Sequence, residues 1–275
     1  VTSRGVKFLG GHRALKITER GEQAETTVET SSERVLIRSR LVINAAGGGS
    51  LAIAHTCGLG VGLASLNFRG EYWVVDEPFA SRVNSNIYRP PSFPQYPFLD
   101  PHFVVRADGS RQIGPNAVAV PDPYVYSGIG LSRFLGYLGR PLTPKGRLLA
   151  SPDFIRLLAG EWRSSLSKNA MCDRVRRFVP GLGPGMLSRR AVFGVRSSVV
   201  DRNGFIPEAT LLRGTTSMHI LNFNSPGATG APAFSALVVR RLRAEGMLEG
   251  LRVRNEAPAI PGWDFDPVAA LVGTP

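Results

Sequence analysis

A loop of small residues separates an apolar run from a helical pattern that ends in basic residues. The segment reads HILNFNSPGATGAP over residues 219–232. Gly227 and Gly230 carry no side chain that would keep a ligand away from the backbone, and Thr229 is a residue type that caps helices. Exposed amides in the first turn of a helix attract electron-rich oxygens. The segment predicts close ligand approach to the backbone, and an ordinary strand-to-helix turn is the alternative.

A second run of small residues follows the apolar run at residues 41–44. Two alanines and three glycines, Ala45 to Gly49, come directly after Asn44. A strand that ends in consecutive glycines lets its backbone contact a bound ligand, although a plain loop explains the same composition.

Other arrangements of reactive side chains are not supported. The four histidines are scattered and Cys57 lies far from Cys172, so no ligand spacing for a metal is present. Two cysteines make no disulfide framework, and we expect buried free thiols in a reducing compartment. No G-x-S-x-G element is present, so the sequence gives no support to a serine hydrolase.

The hydrophobic pattern predicts the elements that hold these residues. Alternation from Arg13 to Asn44 predicts a small antiparallel meander that feeds a strand over Leu41 to Asn44. The other predicted elements, in chain order, are a helix over residues 50–58, a strand over 68–75, two strands joined by a turn at 107–110, a mostly helical region over 143–178, a strand over 191–200 and a helix over 232–242.

Composition limits the class of protein and its partners. A chain of 275 residues with 43% hydrophobic residues can bury a substantial core in one large domain or two intertwined ones. The net charge of +12 comes from 33 scattered Lys and Arg, which argues against nucleic acid and suits the steering of a small dianionic substrate. No apolar run approaches about 18 residues and no signal-peptide pattern opens the chain. We expect a cytoplasmic location, with peripheral attachment to a membrane left open.

Five short motifs occur in a fixed order along the chain: RLVINAAG (40–47), FRGEYW (68–73), YPFLDPHFVVRADGSRQIGPNAV (96–118), FGVRSS (193–198) and HILNFNSPGATGAP (219–232). Together they resemble the flavin-dependent oxidoreductases of the D-amino-acid-oxidase superfamily, and most of all its L-2-hydroxyglutarate oxidase/dehydrogenase branch. The likeness extends from about Leu9 to Leu242. The RGEY, PHF and GPNAV elements are the specific part, whereas AAG and SPGAT are shared more widely among flavoproteins.

The resemblance implies an α/β (α+β) fold with a discontinuous FAD-binding domain and an inserted substrate domain built on an antiparallel sheet. The FAD-domain segments are expected at residues 1–66 and 188–246, the substrate domain at 67–187 and a tail at 247–275. The family begins with a strand, G-x-G-x-x-G and a helix, which this sequence does not show. We therefore expect an incomplete FAD-binding domain. An upstream segment, an N-terminal partner polypeptide and a decayed relic are the three alternatives.

The resemblance also implies FAD as the cofactor and assigns residues to it. The amides that open the helix after SPGATG would lie against the flavin or its ribityl-phosphate region, where the helix dipole favours an electron-rich ring. The residues assigned to the cofactor are Ala46, Gly47, Gly194, Pro226, Gly227, Ala228 and Thr229.

The chemistry implied is oxidation of a 2-hydroxy acid, which needs hydride transfer to the flavin and removal of the hydroxyl proton. His102, in the PHF element, is the candidate base because a neutral imidazole suits that task near pH 7; a structural histidine is the alternative. Arg69 and Arg196 are the candidates that grip substrate carboxylates, with Arg106 as a weaker third. Each arginine has the alternative of an internal carboxylate partner, such as Glu71 or Asp100. Tyr88 and Asn116 are expected to donate hydrogen bonds around the substrate or the flavin ring, with ordinary sheet and turn residues as the equal alternative.

The expected reaction converts a small, L-2-hydroxyglutarate-like 2-hydroxy acid into its 2-oxo acid. Reduced flavin would pass electrons to oxygen, a quinone or another carrier. Oxidation of an amine or amino acid is one alternative, and a non-catalytic remnant or partner subunit is another.

Overall fold

The computed structural model describes residues 6–128, 145–191, 193–224, 227–251 and residue 270. Its first sheet is the meander that the alternating pattern predicts. Three antiparallel strands form it in chain order, with Ile17 and Ala24 packed on Ile53. The strands are β1 (Arg13–Arg20), β2 (Gln23–Glu29) and β3 (Arg34–Ser39).

A second small sheet joins the two segments that end in small residues. Strand β4 (Val42–Asn44) pairs in parallel with a strand over Ser217–Leu221, and a strand over Thr210–Arg213 completes the sheet. Parallel strands point the same way, so their carboxyl ends meet at one edge of the sheet. The small residues after Asn44 and those after Leu221 therefore leave the sheet on the same side.

Helices follow both parallel strands. Helix α1 (Ser50–Thr56) confirms the prediction for that region, and a helix over Gly227–Ala244 follows the other strand. The prediction that this helix begins at Pro232 is wrong, because it begins within the small-residue segment itself. The segment 227–231 is helical although its two glycines have low helix propensity, and the ring of Pro232 fixes a helical φ while it removes one backbone donor.

Two four-stranded sheets form the middle of the chain. One has the order β12-β11-β5-β9 and the other the order β10-β6-β8-β7. In chain order these strands are β5 (Ala64–Gly70), β6 (Trp73–Val75), β7 (His102–Val105), β8 (Arg111–Gly114), β9 (Val118–Val120), β10 (Leu187–Arg190), β11 (Gly194–Asp201) and β12 (Gly204–Phe205). The other two strands of the small sheet that contains β4 complete the series as β13 (Thr210–Arg213) and β14 (Ser217–Leu221).

The prediction of one strand over residues 68–75 is wrong, because the chain changes sheets there. Strand β5 ends at Gly70 and β6 begins at Trp73 in the other sheet. Between them Glu71 is fully buried. The turn predicted at residues 107–110 is confirmed, since it joins β7 to β8.

Three helices pack on these sheets, as the predicted helical region requires. Ser151 and Ser167 cap the second and third of them by accepting hydrogen bonds from Phe154 N (3.4 Å) and Ala170 N (3.3 Å). Phe154 packs on Phe68 of β5 in one apolar cluster. The helices are α2 (Gly146–Leu149), α3 (Pro152–Leu166) and α4 (Lys168–Val175), and the helix over Gly227–Ala244 becomes α5.

The α/β class is confirmed. The sheet β12-β11-β5-β9 crosses the expected boundaries after residue 66 and after residue 187, so hydrogen-bonded strands join the segments on both sides. The division into FAD-domain segments and substrate domain stays a prediction. Most of the expected tail lies outside the described residues. No helix within the described ranges has both the length and the apolar character that a membrane crossing needs.

Candidate functional site

Open backbone lies at the carboxyl edge of the parallel strands. Ala46 and Gly47 are exposed, and Gly47 has φ +57°, a conformation that favours glycine. A Cβ on Gly47 would meet no atom within 4 Å. Gly227 opens α5, whose 18 residues make it long enough for its first-turn amides to face a ligand. Ala228 and Thr229 lie in that same turn, and Pro226 lies outside the described residues.

These features fit the redox half of a flavin. Unshielded backbone at Ala46 and Gly47 and the start of a long helix can accept a flat, electron-rich ring. Gly194, the remaining cofactor candidate, lies at the exposed start of β11, and a Cβ there would also meet no atom within 4 Å. A glycine fingerprint for the ADP half is not found among the described residues.

The turn after β4 rests on the neighbouring sheet. A Cβ on Gly48 would collide with the side chains of Ser197 in β11 and Pro123, so only glycine allows this approach. The Ser197 hydroxyl in turn donates to Asn67 Oδ1 at 2.6 Å. Gly48 therefore joins the expected cofactor turn to the sheet that carries the substrate candidates.

A buried amide fixes the same turn. Asn44 Nδ2 donates to the carbonyl of Ser50 (2.9 Å) and faces Nδ1 of His219 (2.8 Å), and Asn44 Oδ1 accepts from the Ala46 amide (3.2 Å). Because an amide nitrogen only donates, Nδ1 of His219 accepts and its proton lies on Nε2. One side chain thus holds both ends of the small-residue turn.

The imidazole continues this network toward the first sheet. His219 Nε2 donates to Ser217 Oγ (2.8 Å), which donates to Glu19 Oε1 (2.7 Å). His219 is fully buried, and burial lowers its pKa, with the Glu19 charge acting in the opposite direction. The sequence alone gives His219 no role, since only the parallel register that pairs it with Asn44 brings the two residues together.

We expect Asn44→Ala to destabilise the fold markedly. The change leaves the Ala46 amide, the Ser50 carbonyl and the His219 ring without this partner, and each group that stays unsatisfied costs about 1–3 kcal/mol. Urea unfolding measures the change in free energy. Asn203→Ala, in the exposed turn after β11, is the matched control; an equal loss in both variants would contradict the proposed bracing role.

Arg196 is a half-buried cation without an acidic partner among the described residues. Its Nη1 donates to the Pro97 carbonyl at 2.6 Å, and its Nε is buried with no hydrogen-bond partner. Burial lowers the pKa of this guanidinium. A buried guanidinium with an unused donor is costly unless an anion joins it, so the geometry suits a carboxylate ligand.

His102 has the tautomer that a base requires. It is 4% exposed at the start of β7, and its Nδ1 donates to the carbonyl of Asp100 at 3.1 Å. The Nε2 atom is therefore unprotonated. Burial lowers the pKa of His102, and the charge of Arg106 lowers it further, so the ring is neutral near pH 7. The Tyr88 ring covers it at 4.2 Å between centroids, while Tyr88 itself is exposed.

Close backbone contacts link the strands that carry His102 and Arg196. His102 pairs with Gly114, whose φ is +140° and whose added Cβ would lie 2.5 Å from the Glu71 carbonyl. A Cβ on Gly70 would lie 3.1 Å from Pro115 and 3.8 Å from the Gly194 carbonyl. Glycines at this joint thus let the two sheets meet beside the start of β11.

For Arg69 and Asn116 the structure shows internal partners. Arg69 donates to Glu71 Oε1 through Nε (3.0 Å) and Nη2 (2.8 Å). Asn116 donates to Glu71 Oε2 (3.2 Å) and accepts from the Glu71 amide (2.9 Å). Ser165 and Arg190 also donate to Oε2, at 2.6 and 2.8 Å. Arg69 thus has the internal carboxylate that the sequence left open, and Asn116 helps to hold it.

Glu71 lies between β5 and β6, where the chain passes from one sheet to the other, and its carboxylate binds Arg69 and Arg190. Burial alone would raise its pKa, but hydrogen bonds from Ser165, Asn116 and Arg69 and the charge of Arg190 outweigh burial, and its pKa is lowered. The carboxylate is therefore ionised at neutral pH. No group of three or more acids, histidines and cysteines suited to a metal ion occurs in the part of the chain that the structure describes.

We expect Glu71→Gln to cost about 3–5 kcal/mol, because it leaves the buried Arg69 without a counter-charge. Denaturant unfolding gives the magnitude. Glu29→Gln removes the exposed pair with Arg34 and should cost about 0–1 kcal/mol. Similar costs for the two variants would show that the buried cluster contributes no more than a surface pair.

Comparison with known proteins decides the family. A family model described as FAD dependent oxidoreductase matches residues 1–241. The chain belongs to this family. The match covers most of the chain, including both small-residue turns and the joint that carries His102, Glu71 and Arg196. The expected kinship and the FAD-dependent class are thereby confirmed.

Relatives in the FAD-dependent oxidoreductase family include proteins named L-2-hydroxyglutarate dehydrogenase. The mitochondrial protein of Nematostella vectensis is 28% identical over 76% of this chain and 46% of its own length. The Indibacter alkaliphilus protein is 28% identical over 85% of this chain and 57% of its own length. The Escherichia coli K12 protein is 30% identical over 68% of this chain and 43% of its own length. The chain spans about half the length of these relatives.

Solved structures share the fold. L-α-glycerophosphate oxidase from Mycoplasma pneumoniae, with FAD bound, has a TM-score of 0.54 and 17% identity. The match covers 84% of this chain and 50% of that protein's chain. Glycerol-3-phosphate dehydrogenase from Bacillus halodurans, complexed with FAD, has a TM-score of 0.51 and 15% identity. The match covers 93% of this chain and 42% of that protein's chain. At these identities the likeness supports the FAD-binding oxidoreductase fold alone.

Proposed function

We propose that the protein oxidises a small 2-hydroxy acid to the 2-oxo acid with FAD. The observation that carries the proposal is Arg196, a half-buried guanidinium whose Nε has no hydrogen-bond partner and which has no acidic partner among the described residues. A substrate carboxylate supplies both the missing acceptor and the missing negative charge. A bidentate pair of this kind fixes the position of C2, which bears the hydroxyl group.

His102 is the proposed base. Its Nδ1–H is committed to the Asp100 carbonyl, so Nε2 can accept the hydroxyl proton of the substrate. Burial keeps the ring neutral before the reaction, and the proton it accepts makes it an imidazolium. Tyr88 covers one side of the ring and restricts its access to water.

FAD, when bound, supplies the acceptor for the two electrons that leave C2 with its hydrogen. The residues of this chain that would hold its redox half are Ala46, Gly47, Gly194, Gly227, Ala228 and Thr229, with Pro226 as a further candidate. Their task is to present backbone amides and to leave room for a flat ring. The bracing of the Ala46 turn by Asn44 and His219 keeps those amides in place.

An L-2-hydroxyglutarate-like dicarboxylate is the proposed substrate, because the relatives at 28–30% identity carry that name. Arg196 would bind the carboxylate next to the hydroxyl group. Arg106 stands over the Tyr72 ring at 4.7 Å and acts electrostatically on His102, which makes it the candidate for the distal carboxylate. Arg69 would act indirectly, through its pair with Glu71. Oxygen, a quinone or another carrier is the proposed electron acceptor, and a cytoplasmic location stays a prediction.

Anaerobic absorption spectroscopy tests the proposal. The chain is incubated with FAD and gel filtered, and bound flavin is followed in the visible range after addition of L-2-hydroxyglutarate, D-2-hydroxyglutarate or L-glutamate. We expect bleaching with the L-2-hydroxy acid. Bleaching with L-glutamate alone would favour an amino-acid oxidase. Retained flavin that no substrate bleaches would contradict the proposal, and a colourless chain would support the partner-subunit or remnant alternative.

A further inference from the structure

A cleft of about 400 Å³ lies between helices α3 and α4 and the segment around residues 89–100, and none of its lining residues is among those proposed to hold the flavin. Five of its lining residues are arginines and three are acids, so the lining has an excess of positive charge. The arginines are Arg89, Arg156, Arg163, Arg174 and Arg177.

The floor of the cleft is electrically balanced and rigidly held. Arg174 donates to Asp100 Oδ1 and bridges to Glu161 Oε1, both at 2.8 Å, and both carboxylates are buried. Arg89 lies 3.5 Å from the second oxygen of Asp100. Glu161 is further fixed by the amide of Ala117 at 2.7 Å. These contacts satisfy Asp100 and Glu161, and the third acid, Asp173, pairs with Arg176 at 2.8 Å, so none of the three forms an ion pair with Arg163 or Arg177.

The rim carries the uncompensated charge. Arg163 and Arg177 are exposed and have no acidic partner among the described residues, whereas Arg156 pairs with Asp153 at the surface. Arg156, Gly160 and Arg163 follow a spacing of four and then three residues, which places them on one face of α3. A Cβ on Gly160 would meet no atom within 4 Å, so this glycine leaves the cleft open between the two arginines.

We propose that this cleft binds a small oligoanion that carries two or more phosphate or carboxylate groups. Guanidinium groups bind both kinds of oxyanion in a bidentate manner, and two of them, Arg163 on α3 and Arg177 just after α4, favour a ligand that carries more than one charged group. The volume is that of a small-molecule site. The floor is preorganised before the ligand arrives, so binding needs only the rim side chains to become ordered.

Calorimetric titration of the full chain at low ionic strength tests the site, with pyrophosphate and citrate as separate probes. Arg163→Gln combined with Arg177→Gln removes the rim charge, and Gly160→Leu fills the cleft without a change in charge. Arg189→Gln with Arg202→Gln removes the same charge from exposed positions elsewhere. We expect affinity to fall tenfold or more in both cleft variants and by less than threefold in the control. Thermal unfolding verifies that each variant is folded.

The two probes distinguish the source of the anion. Saturable binding of pyrophosphate alone assigns a phosphorylated ligand, and binding of citrate alone assigns a polycarboxylate. Arg196→Ala must leave this binding intact, which separates the cleft from the proposed substrate site and makes the test independent of FAD. The proposal is overturned if neither probe saturates, if the control pair loses as much affinity as the cleft pair, or if only Arg196→Ala abolishes binding.

Discussion

Arg196→Ala should lower kcat/KM for a 2-hydroxy dicarboxylate by roughly 30-fold to 4,000-fold, with most of the effect in KM. Loss of one partner of a partly buried ion pair costs about 2–5 kcal/mol, and each 1.4 kcal/mol is a factor of ten. The carboxylate is bound in the ground state and in the transition state alike, so the loss is one of uniform binding. Steady-state kinetics of the FAD-loaded protein measures it.

The matched controls isolate the carboxylate contact. Arg202→Ala removes an exposed arginine from the turn after β11 and should change kcat/KM by less than threefold. A substrate in which the C1 carboxylate is a methyl ester should have a low kcat/KM with the unaltered protein. Arg196→Ala should lower that kcat/KM only a little further. If kcat/KM of Arg196→Ala falls by the same factor with the ester as with the acid, Arg196 acts on the fold and does not bind the substrate.

The sequence predicts the elements around the site better than it predicts their partners. Alternation places the meander, and small residues mark the two turns, because these signals are local in the chain. The helix start at Gly227 and the break between β5 and β6 are missed. At the break the chain moves between sheets; Gly70 is the local signal for a bend there, but the alternating apolar pattern of FRGEYWVV favours one continuous strand.

The roles of the charged residues depend on contacts far apart in the chain. Glu71 binds Ser165 and Arg190, which follow it by 94 and 119 residues, and these distant contacts hold the carboxylate with which the nearby Arg69 pairs. His219 and Asn44 are 175 residues apart and meet only through the parallel register of β4 and β14. Motif likeness can suggest that such residues matter, but only the fold shows which of them keep a free donor, as Arg196 does.

His102→Asn should lower kcat by roughly 10²–10⁴, the range that a positioned general base contributes. The pH profile gives the sharper test. Because burial lowers the pKa of His102 from its ordinary value of 6.5, the neutral ring persists at pH 7 and kcat/KM should be level there. Activity should fall as the pH drops through that lowered pKa, since protonation removes the Nε2 lone pair.

The same substitution should remove the acid limb of the profile, because no titrating base remains at this position. His12→Asn alters an exposed histidine outside the site and should retain both the rate and the limb. A structural histidine would behave differently: its loss would lower the free energy of unfolding and leave the pH dependence of the remaining activity unchanged. A limb that survives in His102→Asn would therefore assign the proton transfer to another group, whatever the size of the drop in kcat.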